Sequence, residues 1–433
     1  MSGPSGDLGD SRTIHIVGVG GSATSGLAQL LHARGHRVSG SDRSESIALE
    51  NLRALGILAY GSHAASHVPE TVDLVVSSAA VPTENPEIVR ALELGAVHRL
   101  YADVLGEVIS DKCGVAVAGT HGKTSTAGFL TSILVAADRD PEILIGGHHP
   151  TLGGNCRAGR GAEFVVEACE FNRSFLALRP ECGILTCVEH DHPDIYADEI
   201  ELLETFQRYV EQVGPGPLLC GIDSPLVAGL ARGSFDARVS TFGLTEHAEW
   251  RAENVVFADR PRFEVTRRGT HFAHVEIGLP GRHNVLNALA AIALAAELGV
   301  EAKAAVMGAR AFPGVDRRFQ RLGEFDGVSL VDDYAHHPTE VESTIEAARD
   351  CYPGRRVWAV FQPHQWGRLN AYHDRFAHAL SGADHSVILP VYSVRENPSD
   401  FSPELLAGLH AKIENHGAAV SSVGDGDRAL DLL

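Results

Sequence analysis

A short glycine-rich stretch of the sequence combines the residue types that bind the phosphates of a nucleotide. The apolar run Val115–Ala118 leads into Gly119-Thr120-His121-Gly122-Lys123-Thr124-Ser125, and a helical pattern follows. In such loops glycines leave backbone N–H groups free for phosphate oxygens, a lysine reaches the terminal phosphates, and a hydroxyl binds Mg²⁺. We therefore predict a phosphate-binding loop in which Lys123 supplies the charge and Thr124 the hydroxyl.

The loop departs from the strict pattern G-x-x-x-x-G-K-[ST], because Val117 occupies the position of the first glycine. It is a shorter variant, and the alternative is a glycine-rich turn that carries an incidental lysine. The predicted strand before the loop and the predicted helix after it favour phosphate binding, since a helix N-terminus attracts anions.

Acidic and histidine side chains follow the next apolar runs and could hold the Mg²⁺ that phosphoryl transfer requires. Glu167 and Glu170 come just after Phe164–Val166, and His190-Asp191-His192 follows Ile184–Val188. Because neighbouring parallel strands end at the same edge of a sheet, these groups should converge on the phosphate loop. Histidine is an uncommon Mg²⁺ ligand, and for each residue taken singly the alternative is an exposed acidic loop.

A second glycine-rich turn lies near the start of the sequence. Ile14–Val17 enters Gly18-Val19-Gly20-Gly21, Ser25-Gly26 opens a helical stretch, and Asp42 ends the next strand. Glycines let the backbone approach a diphosphate, and in dinucleotide enzymes an acid near this spacing holds a ribose hydroxyl. Because Ala23 stands in place of the third glycine, a nicotinamide-dependent dehydrogenase and a tight turn without a ligand both remain alternatives.

Polar residues also open a later helical stretch and mark a later junction. The segment Gly281-Arg282-His283-Asn284-Val285-Leu286-Asn287 begins an apolar helix, where helix caps and contacts with a nucleotide base are both compatible with the residues. Arg317 and Arg318 lie in Pro313–Phe319, and paired arginines suit anion binding but are also common on surfaces.

Two further polar clusters follow late apolar runs. Asp332–Glu340 comes after Val328–Val331, and Phe361–His364, with Arg368 close behind, comes after the next run. A cluster this rich in polar groups at the end of a strand is difficult to explain as core. We expect both clusters on one edge of a third sheet, where they could close over a ligand held by the rest of the protein.

The apolar runs themselves are short, continuous and alternate with helical stretches, which is typical of buried strands in parallel sheets. We predict strands at Ile14–Val17, Leu74–Val76, Val115–Ala118, Phe164–Val166, Ile184–Val188, Val328–Val331, Val357–Phe361 and Val387–Leu389. This α/β pattern predicts three domains: a Rossmann-like N-terminal domain (residues 1–110), a central P-loop ATPase-type α/β domain (111–312) and a C-terminal Rossmann-like α/β domain (313–433).

The composition excludes several classes of function. A length of 433 residues is too great for one hydrophobic core, and a net charge of −20 argues against nucleic acid as a partner. The seven cysteines contain no C-x-x-C pair, so we expect reduced thiols rather than disulfides or zinc. The sequence has no apolar run long enough to span a membrane, and Met1–Arg12 lacks the apolar segment of a signal peptide; we expect a cytoplasmic protein.

Taken together and in this order, the motifs resemble the Mur ligase family. The resemblance extends from His15 to about Asp425 and rests on G-V-G-G…S-G, S-G-S-D, S-S-A…N-P-E, G-T-H-G-K-T, E-A-x-E…S-F, D-H, G-R-H-N-V-L-N, R-R-F, D-D-Y-A-H-H-P-T-E and F-Q-P-H. It implies an ATP- and Mg²⁺-dependent ligase that joins L-alanine to the carboxylate of UDP-N-acetylmuramic acid through an acyl phosphate. We expect a monomer or a homodimer.

The resemblance also assigns roles to residues by position. The residues that would contact the UDP-sugar are Gly18, Gly20, Gly21, Ser25, Gly26, Ser41, Asp42, His63 and Ser77, with Asn85 and Glu87 nearby. Those that would bind ATP are Gly119, Thr120, His121, Gly122, Lys123, Thr124, Ser125, His283, Asn284, Asn287 and Arg318. The metal would be held by Thr124, Glu167 and His192, and the amino-acid end would be lined by Tyr334, His336 and Arg368. The catalytic set is Lys123, Glu167, His192, His336 and Arg368.

The sequence departs from the family pattern at Cys169, Arg173, Cys187, His190 and Gln365, which leaves the choice among alanine, serine and glycine open. A related ligase that recycles whole muropeptides is an alternative, because Pro193-Asp194-Ile195-Tyr196 leans towards its pattern. Tyr334 and Glu340 instead favour the addition of alanine. Outside the family, the alternatives are a nicotinamide-dependent dehydrogenase and a non-catalytic nucleotide-binding regulator.

Overall fold

The structure, a computed structural model, describes residue 8 and residues 11–233, 238–393 and 396–424. The predicted polar N-terminal stretch, apart from residues 8, 11 and 12, and the end of the predicted C-terminal domain lie outside the described residues. Among the described residues, none of the helices has the length and hydropathy of a membrane-spanning segment.

The N-terminal elements form a five-stranded parallel sheet flanked by helices. The strands are β1 (Thr13–Val17), β2 (Arg37–Ser41), β3 (Leu58–Tyr60), β4 (Leu74–Ser77) and β5 (Val97–Leu100). The helices are α1 (Ser22–Ala33), α2 (Ile47–Ala54), α3 (Pro86–Glu93) and α4 (Tyr101–Ser110). The strand order is β3-β2-β1-β4-β5, so the chain reverses its winding direction between β1 and β4. In open α/β sheets ligands bind at such a switch point, which here adjoins the first glycine loop.

The central elements form a ten-stranded mixed sheet. The strands are β6 (Cys113–Ala118), β7 (Glu142–His149), β8 (Gly154–Arg157), β9 (Glu163–Ala168), β10 (Cys182–Leu185), β11 (Leu218–Gly221), β12 (Val239–Gly243), β13 (Trp250–Val256), β14 (Arg262–Arg267) and β15 (Thr270–Glu276). The helices are α5 (Lys123–Ala136), α6 (Glu199–Gln212), α7 (Pro225–Gly233), α8 (Arg282–Glu297) and α9 (Ala302–Ala311). Strand β6 lies between β10 and β9, both parallel to it, so the segments after all three strands share one edge.

Helix α5 is apolar on nearly all sides because it is enclosed. It packs against α8 and α9 and against the strands β7 and β9, and Phe129, Leu130 and Ile133 have no exposed surface. A helix that is apolar all round is stable only when it is buried on every side. The phosphate loop therefore leads into a helix that the central core holds rigidly.

The C-terminal elements form a three-stranded parallel sheet and a separate hairpin. The hairpin is β16 (Gln320–Phe325) with β17 (Val328–Asp332), and the sheet is β18 (Trp358–Phe361), β19 (His385–Ile388) and β20 (Ala419–Ser422). The helices are α10 (Pro338–Cys351), α11 (Trp366–Ala371), α12 (His373–Leu380) and α13 (Leu405–Asn415). Short 3₁₀ turns elsewhere span Ala65–His67, Pro150–Leu152, Phe171–Ala177 and Pro398–Asp400.

The predicted three-domain α/β fold is confirmed, but three of the strand predictions are wrong in detail. The strand β18, predicted as buried at Val357–Phe361, exposes Trp358 and Val360. The run at Val328–Val331 is not a buried parallel strand: β17 is antiparallel to β16, and Val328 and Leu330 are exposed. The run predicted at Ile184–Val188 stops at Leu185, because the Thr186 hydroxyl turns to donate to the Ala118 and His121 carbonyls. The proposed domain boundaries at residues 110 and 312 lie in the connections between sheets.

Candidate active site

The predicted phosphate loop is a turn between β6 and α5 that only glycines can form. Gly119 has φ +132° and Gly122 has φ +79°, which are backbone conformations that side chains disfavour. A Cβ on Gly119 would also lie 2.0 Å from the Thr186 hydroxyl oxygen. The loop is further fixed by its neighbour, since the Thr120 N–H donates to the Cys187 carbonyl at 2.8 Å.

The loop lysine is held at the centre of this turn. Lys123 Nζ donates to the Gly119 and Thr120 carbonyls at 2.6 and 2.9 Å and lies 2.8 Å from Glu170 Oε2. Burial opposes the charge of Lys123, but the facing Glu170 outweighs this effect and the pKa is raised overall. Lys123 is therefore a protonated ammonium placed beside the backbone that would surround a phosphate.

Two side chains whose oxygens could ligate a hard cation lie side by side next to the loop. The Thr124 hydroxyl donates to Glu167 Oε2 at 3.1 Å, and Glu167 Oε1 accepts from the Gly146 N–H at 2.5 Å. Burial raises the pKa of Glu167, because it disfavours the charged carboxylate. A cation bound close by would stabilise that charged form. A hydroxyl and a carboxylate are donors that suit Mg²⁺, so this pair fits the predicted metal.

The third predicted metal residue, His192, lies nearer to Glu170 than the sequence alone indicated. Its Nε2 is 3.8 Å from Glu170 Oε1 and 3.8 Å from Asp191 Oδ2, and its φ of +55° is left-handed. Burial lowers the pKa of His192. His192, Glu170 and Lys123 thus form one group, while the oxygen pair of Thr124 and Glu167 forms another.

A cavity of about 330 Å³ opens beside the loop. Its lining includes residues predicted to bind ATP: His121, Gly122, Thr124, Ser125, His283, Asn284, Asn287 and Arg318. Burial, followed by the charge of Arg318, lowers the pKa of His283 to about 4, so its ring is neutral at pH 7. Asn287 accepts from the Thr126 hydroxyl at 3.1 Å, and this contact ties the start of α8 to α5.

The first glycine loop uses its acidic residue to support its own backbone. The Gly20 N–H donates to Asp42 Oδ2 at 2.8 Å, and Gly18, with φ +83°, donates its N–H to the Ser41 carbonyl at 2.8 Å. Ser77, predicted for the same ligand, instead has its hydroxyl 2.9 Å from His98 Nε2. Contacts of these residues with a UDP-sugar stay predictions.

Helix α1, which begins after this loop, packs directly on the central domain. A Cβ added to Gly26 would lie 2.2 Å from Leu144 Cδ1, so Gly26 permits a close approach of helix and strand. The Ser22 hydroxyl donates to the Gly146 carbonyl at 3.2 Å, while the Gly146 N–H donates to Glu167. Gly146 therefore connects the start of α1 to Glu167, the carboxylate predicted to bind the metal.

The C-terminal domain meets the phosphate loop through Glu189, which sequence reasoning missed as a site residue. Glu189 Oε2 lies 3.1 Å from His121 Nε2 and accepts from the Thr339 hydroxyl at 2.7 Å, and Glu189 also pairs with Arg375. Glu340 faces the other ring nitrogen of His121 at 3.3 Å. Burial alone would lower the pKa of His121, but these two carboxylates hold it well above its usual value.

His121, Glu189 and the buried His337 offer three donor atoms within 4.8 Å of one another. Arg375 already compensates the charge of Glu189, and His121 is already charged, so we interpret this group as an ion-pair network between domains. Polar residues that follow a parallel strand tend to face the ligand site, and Glu189 follows β10. The same rule that predicted Glu167 and Asp191 could therefore have predicted Glu189.

The residues predicted for the amino-acid end come together at the same interface. His336 Nδ1 lies 2.8 Å from the Tyr334 carbonyl, and its ring centre is 6.0 Å from that of His364. Arg368 extends into the central domain, where its Nε is 3.0 Å from Asp191 Oδ1. The two late clusters therefore meet as expected, although they follow strands of different sheets.

Family models match the chain in three consecutive blocks. They are described as "Mur ligase family, catalytic domain" (residues 13–112), "Mur ligase middle domain" (117–295) and "Mur ligase, glutamate ligase domain" (317–433). The order and spacing of these blocks follow the three sheets of the structure.

The chain is also similar to proteins named UDP-N-acetylmuramate–L-alanine ligase. It is 38% identical to one from Clostridium novyi (94% of this chain, 88% of the relative) and 42% identical to one from Salinibacter ruber (90% and 82%). Among solved structures it resembles a UDP-N-acetylmuramate–alanine ligase from Thermotoga maritima, with a TM-score of 0.82, 26% identity, and coverage of 98% and 93%. It also resembles a murein peptide ligase from Psychrobacter arcticus, with a TM-score of 0.71, 25% identity, and coverage of 98% and 92%.

Proposed function

Because this chain belongs to the Mur ligase family, we propose that it joins L-alanine to the carboxylate of UDP-N-acetylmuramic acid at the expense of ATP. A nicotinamide-dependent dehydrogenase and a non-catalytic regulator, the alternatives of other classes, have no support in these similarities. The observation that carries the proposal is the junction at Gly146, which ties the helix after the first glycine loop to the carboxylate beside the phosphate loop.

This junction matters because two ligands from different domains have to react. A UDP-sugar bound at the switch point of the first sheet would extend along the start of α1 towards Glu167. ATP bound by the phosphate loop would direct its terminal phosphate to the same place. The proximity of the two sites thus supports transfer of the γ-phosphoryl group to a carboxylate carried by the sugar.

The first chemical step converts a poor acylating group into a reactive one. A carboxylate oxygen of the muramyl group forms a bond to the γ-phosphorus, the bond to the β-phosphate oxygen breaks, and ADP leaves. Lys123, which the Glu170 carboxylate keeps protonated, would stabilise the negative charge on the transferred phosphoryl group. The product of this step is an acyl phosphate.

Thr124 and Glu167 are the residues that would hold Mg²⁺, and His192, predicted as a further ligand, lies beside Glu170 instead. Bound Mg²⁺ supplies positive charge that offsets the phosphate oxygens and orients them. The fit rests on the donor chemistry: two hard oxygens lie 3.1 Å apart, and the buried carboxylate has a raised pKa.

In the second step the amine of alanine attacks the acyl carbon and inorganic phosphate leaves. The amine must first lose a proton from its ammonium form, and His336 is the candidate base. Burial lowers the pKa of His336, so its ring is neutral at pH 7 and can accept a proton. Tyr334 lies beside it, with ring centres 5.0 Å apart, where it would position the amino acid. Arg368, predicted for the same end, is held by Asp191.

The test is a coupled assay of phosphate release with ATP, UDP-N-acetylmuramate and a panel of alanine, serine, glycine and the muropeptide L-alanyl-γ-D-glutamyl-diaminopimelate. We expect release only when the UDP-sugar and alanine are both present. Release with the peptide but not with free alanine would instead favour the recycling ligase, which the resemblance to the Psychrobacter arcticus protein keeps as the second candidate. No release with any acceptor would contradict the proposal.

Two further expectations accompany the proposal. A cytoplasmic location and a monomeric or homodimeric state stay predictions, and light scattering of the purified protein would measure the second. The substrates named here are small molecules, which agrees with a net charge of −20 that disfavours nucleic acid.

A further inference from the structure

A fully buried carboxylate in the N-terminal domain faces three histidines. Glu87 Oε2 lies 3.0 Å from His63 Nδ1, and Glu87 Oε1 lies 3.2 Å from His67 Nδ1 and 3.8 Å from His15 Nε2. Glu87 also accepts from the Ser41 hydroxyl and, at 3.2 Å, from the Ala64 N–H. None of the chemistry described above uses this group.

The burial of Glu87 makes its hydrogen-bond partners important. The side chain has no exposed surface, and within the described residues its ion-pair partners are histidines alone. Burial raises the pKa of Glu87, but hydrogen bonds with His15 and Ser41 outweigh this effect and lower the pKa to about 2. The carboxylate is therefore charged. Because a buried charge is costly unless it is hydrogen-bonded, the groups that donate to Glu87 are held in place by this carboxylate.

The fold places this carboxylate next to the first glycine loop. Glu87 stands in the first turn of α3, and its backbone N–H donates to the side chain of Asn85, the N-cap residue. The hydroxyl that it binds belongs to Ser41, whose carbonyl accepts from the Gly18 and Val19 N–H groups at 2.8 and 2.9 Å. One residue, Ser41, thus touches both the glycine loop and the buried carboxylate.

His63 is a histidine of this group that could also contact a ligand. Its Nδ1 faces Glu87 at 3.0 Å and Ser41 Oγ at 2.9 Å, while 19% of its side chain remains exposed. Within the described part of the chain, no protein group is hydrogen-bonded to its Nε2. A histidine whose Nδ1–H donates to a carboxylate has a fixed ring orientation and leaves Nε2 for a ligand.

The neighbouring contacts fix the whole segment in which His63 lies. His67 stacks on Tyr60 with ring centres 4.0 Å apart, and Glu87 accepts from the Ala64 N–H. Glu87 therefore restrains the segment at three positions, His63, Ala64 and His67.

We propose that Glu87 is a positioning residue for the UDP-sugar: it accepts the Nδ1–H of His63 and so fixes the orientation of that ring, which leaves Nε2 for the ligand. This inference rests on the proposed function, because it takes the UDP-sugar as the ligand of the first glycine loop. Glu87 itself touches no substrate in this arrangement and acts through His63.

The first experiment measures ligand binding by calorimetry with the full-length protein and UDP-N-acetylmuramate. We expect E87Q, which keeps the shape but removes the charge, to weaken binding by about tenfold or more, as the loss of a charge-assisted hydrogen bond does. Binding of ATP and kcat at saturating UDP-sugar should stay at wild-type values. E93Q, an exposed carboxylate on the same helix, is the matched control and should bind normally.

The second experiment asks whether Glu87 acts through His63. H63Q should weaken binding as much as E87Q does, and the double variant should be no weaker than the weaker single variant, because both remove the same contact. The proposal is wrong if the fold-losses in affinity of the two single variants multiply in the double variant. It is also wrong if E87Q binds UDP-N-acetylmuramate as the wild type does. Should E87Q fail to fold, H63Q, whose side chain reaches the surface, decides alone: normal binding by H63Q overturns the proposal.

The third experiment needs no ligand and separates this inference from the proposed function. In protein labelled with ¹⁵N-histidine, the ring signals of His63, assigned by their absence in H63Q, should show a protonated Nδ1 in the wild type and a changed state in E87Q. Unchanged signals would refute the coupling between the two residues even if UDP-N-acetylmuramate binds. Changed signals with a wild-type protein that does not bind UDP-N-acetylmuramate would refute the proposed function and leave the coupling itself intact.

Discussion

Arg368 Nε lies 3.0 Å from Asp191 Oδ1, and each of these side chains is only 6% exposed although they belong to different domains. The pair connects the helix α11 of the C-terminal domain to the segment that follows β10 in the central domain. A buried ion pair of this kind defines one relative position of the two domains, because each charge is costly without the other. The structure therefore shows the C-terminal domain closed over the phosphate loop.

We predict that R368M impairs closure more than it impairs the fold. Removal of the guanidinium leaves Asp191 charged in a buried place, which costs about 3 kcal/mol. Such a loss corresponds to about a hundredfold decrease in kcat/KM if closure precedes chemistry. Steady-state kinetics measure the effect, and R90M, which removes a surface ion pair with Glu70, should retain normal kinetics. Normal kinetics of R368M would show that the pair does not matter for closure.

For the phosphate loop, we predict that K123A abolishes phosphoryl transfer but spares the first domain. The variant loses the charge beside the transferred phosphate, and we expect a decrease in kcat of about a thousandfold or more. Binding of UDP-N-acetylmuramate, followed by calorimetry, should be unchanged. K303A, a surface lysine on α9, provides the control. Wild-type turnover of K123A would disprove the role assigned to Lys123.

The oxygen pair beside the loop predicts a specific dependence on magnesium. E167Q weakens one of the two hard donors, so the concentration of Mg²⁺ that gives half-maximal turnover should rise about tenfold or more. T124V removes the other donor and should act in the same direction. A titration of turnover with MgCl₂ measures both, and removal of the metal with EDTA should stop the wild-type enzyme. An unchanged Mg²⁺ requirement in both variants would place the ion elsewhere.

Close packing of α9 on α5 predicts a stability effect far from any ligand. A Cβ on Gly308 would lie 2.3 Å from the Cα of Ile133, so G308A should destabilise the protein by about 1–3 kcal/mol. Gly229, in α7, has nothing within 4 Å of an added Cβ, so G229A should be neutral or slightly stabilising. Urea unfolding of the two variants measures the difference. Equal stabilities would show that the helices can separate without cost.

The link between Glu189 and the C-terminal domain predicts a dependence of stability on pH. Burial raises the pKa of Glu189, but His121 and His337, with Thr339 and Arg375, lower it to about 2. Since this folded-state pKa lies below the ordinary value of 4.5, the stabilisation is complete above about pH 5 and is lost as pH falls towards 2. The difference in melting temperature between wild type and E189Q should therefore shrink between pH 5 and pH 2.5. A constant difference over this range would contradict the assignment.

Much of the candidate site could be predicted from the sequence alone. The glycine and lysine pattern at residues 119–125 is local, because a turn between a strand and a helix is set by its own backbone preferences. The carboxylates after β9 could be placed near this loop because strand ends in a parallel sheet converge. The alternation of apolar runs and helices likewise predicted the three-domain α/β fold, which the structure and the similar proteins confirm.

The tertiary structure alone decided which residues meet across domains. Glu189 contacts Arg375, which is 186 positions away, and Ser22 reaches the backbone of Gly146, 124 positions away. No local pattern encodes such contacts, because they depend on how separately folded sheets pack. The hairpin at β17 was mispredicted for the same reason: a short apolar run such as Val328–Val331 does not reveal whether its neighbour in the sheet is parallel, antiparallel or absent. The sequence thus determined which polar and charged groups follow each strand. Only the packing of the sheets decided which of these groups contact one another.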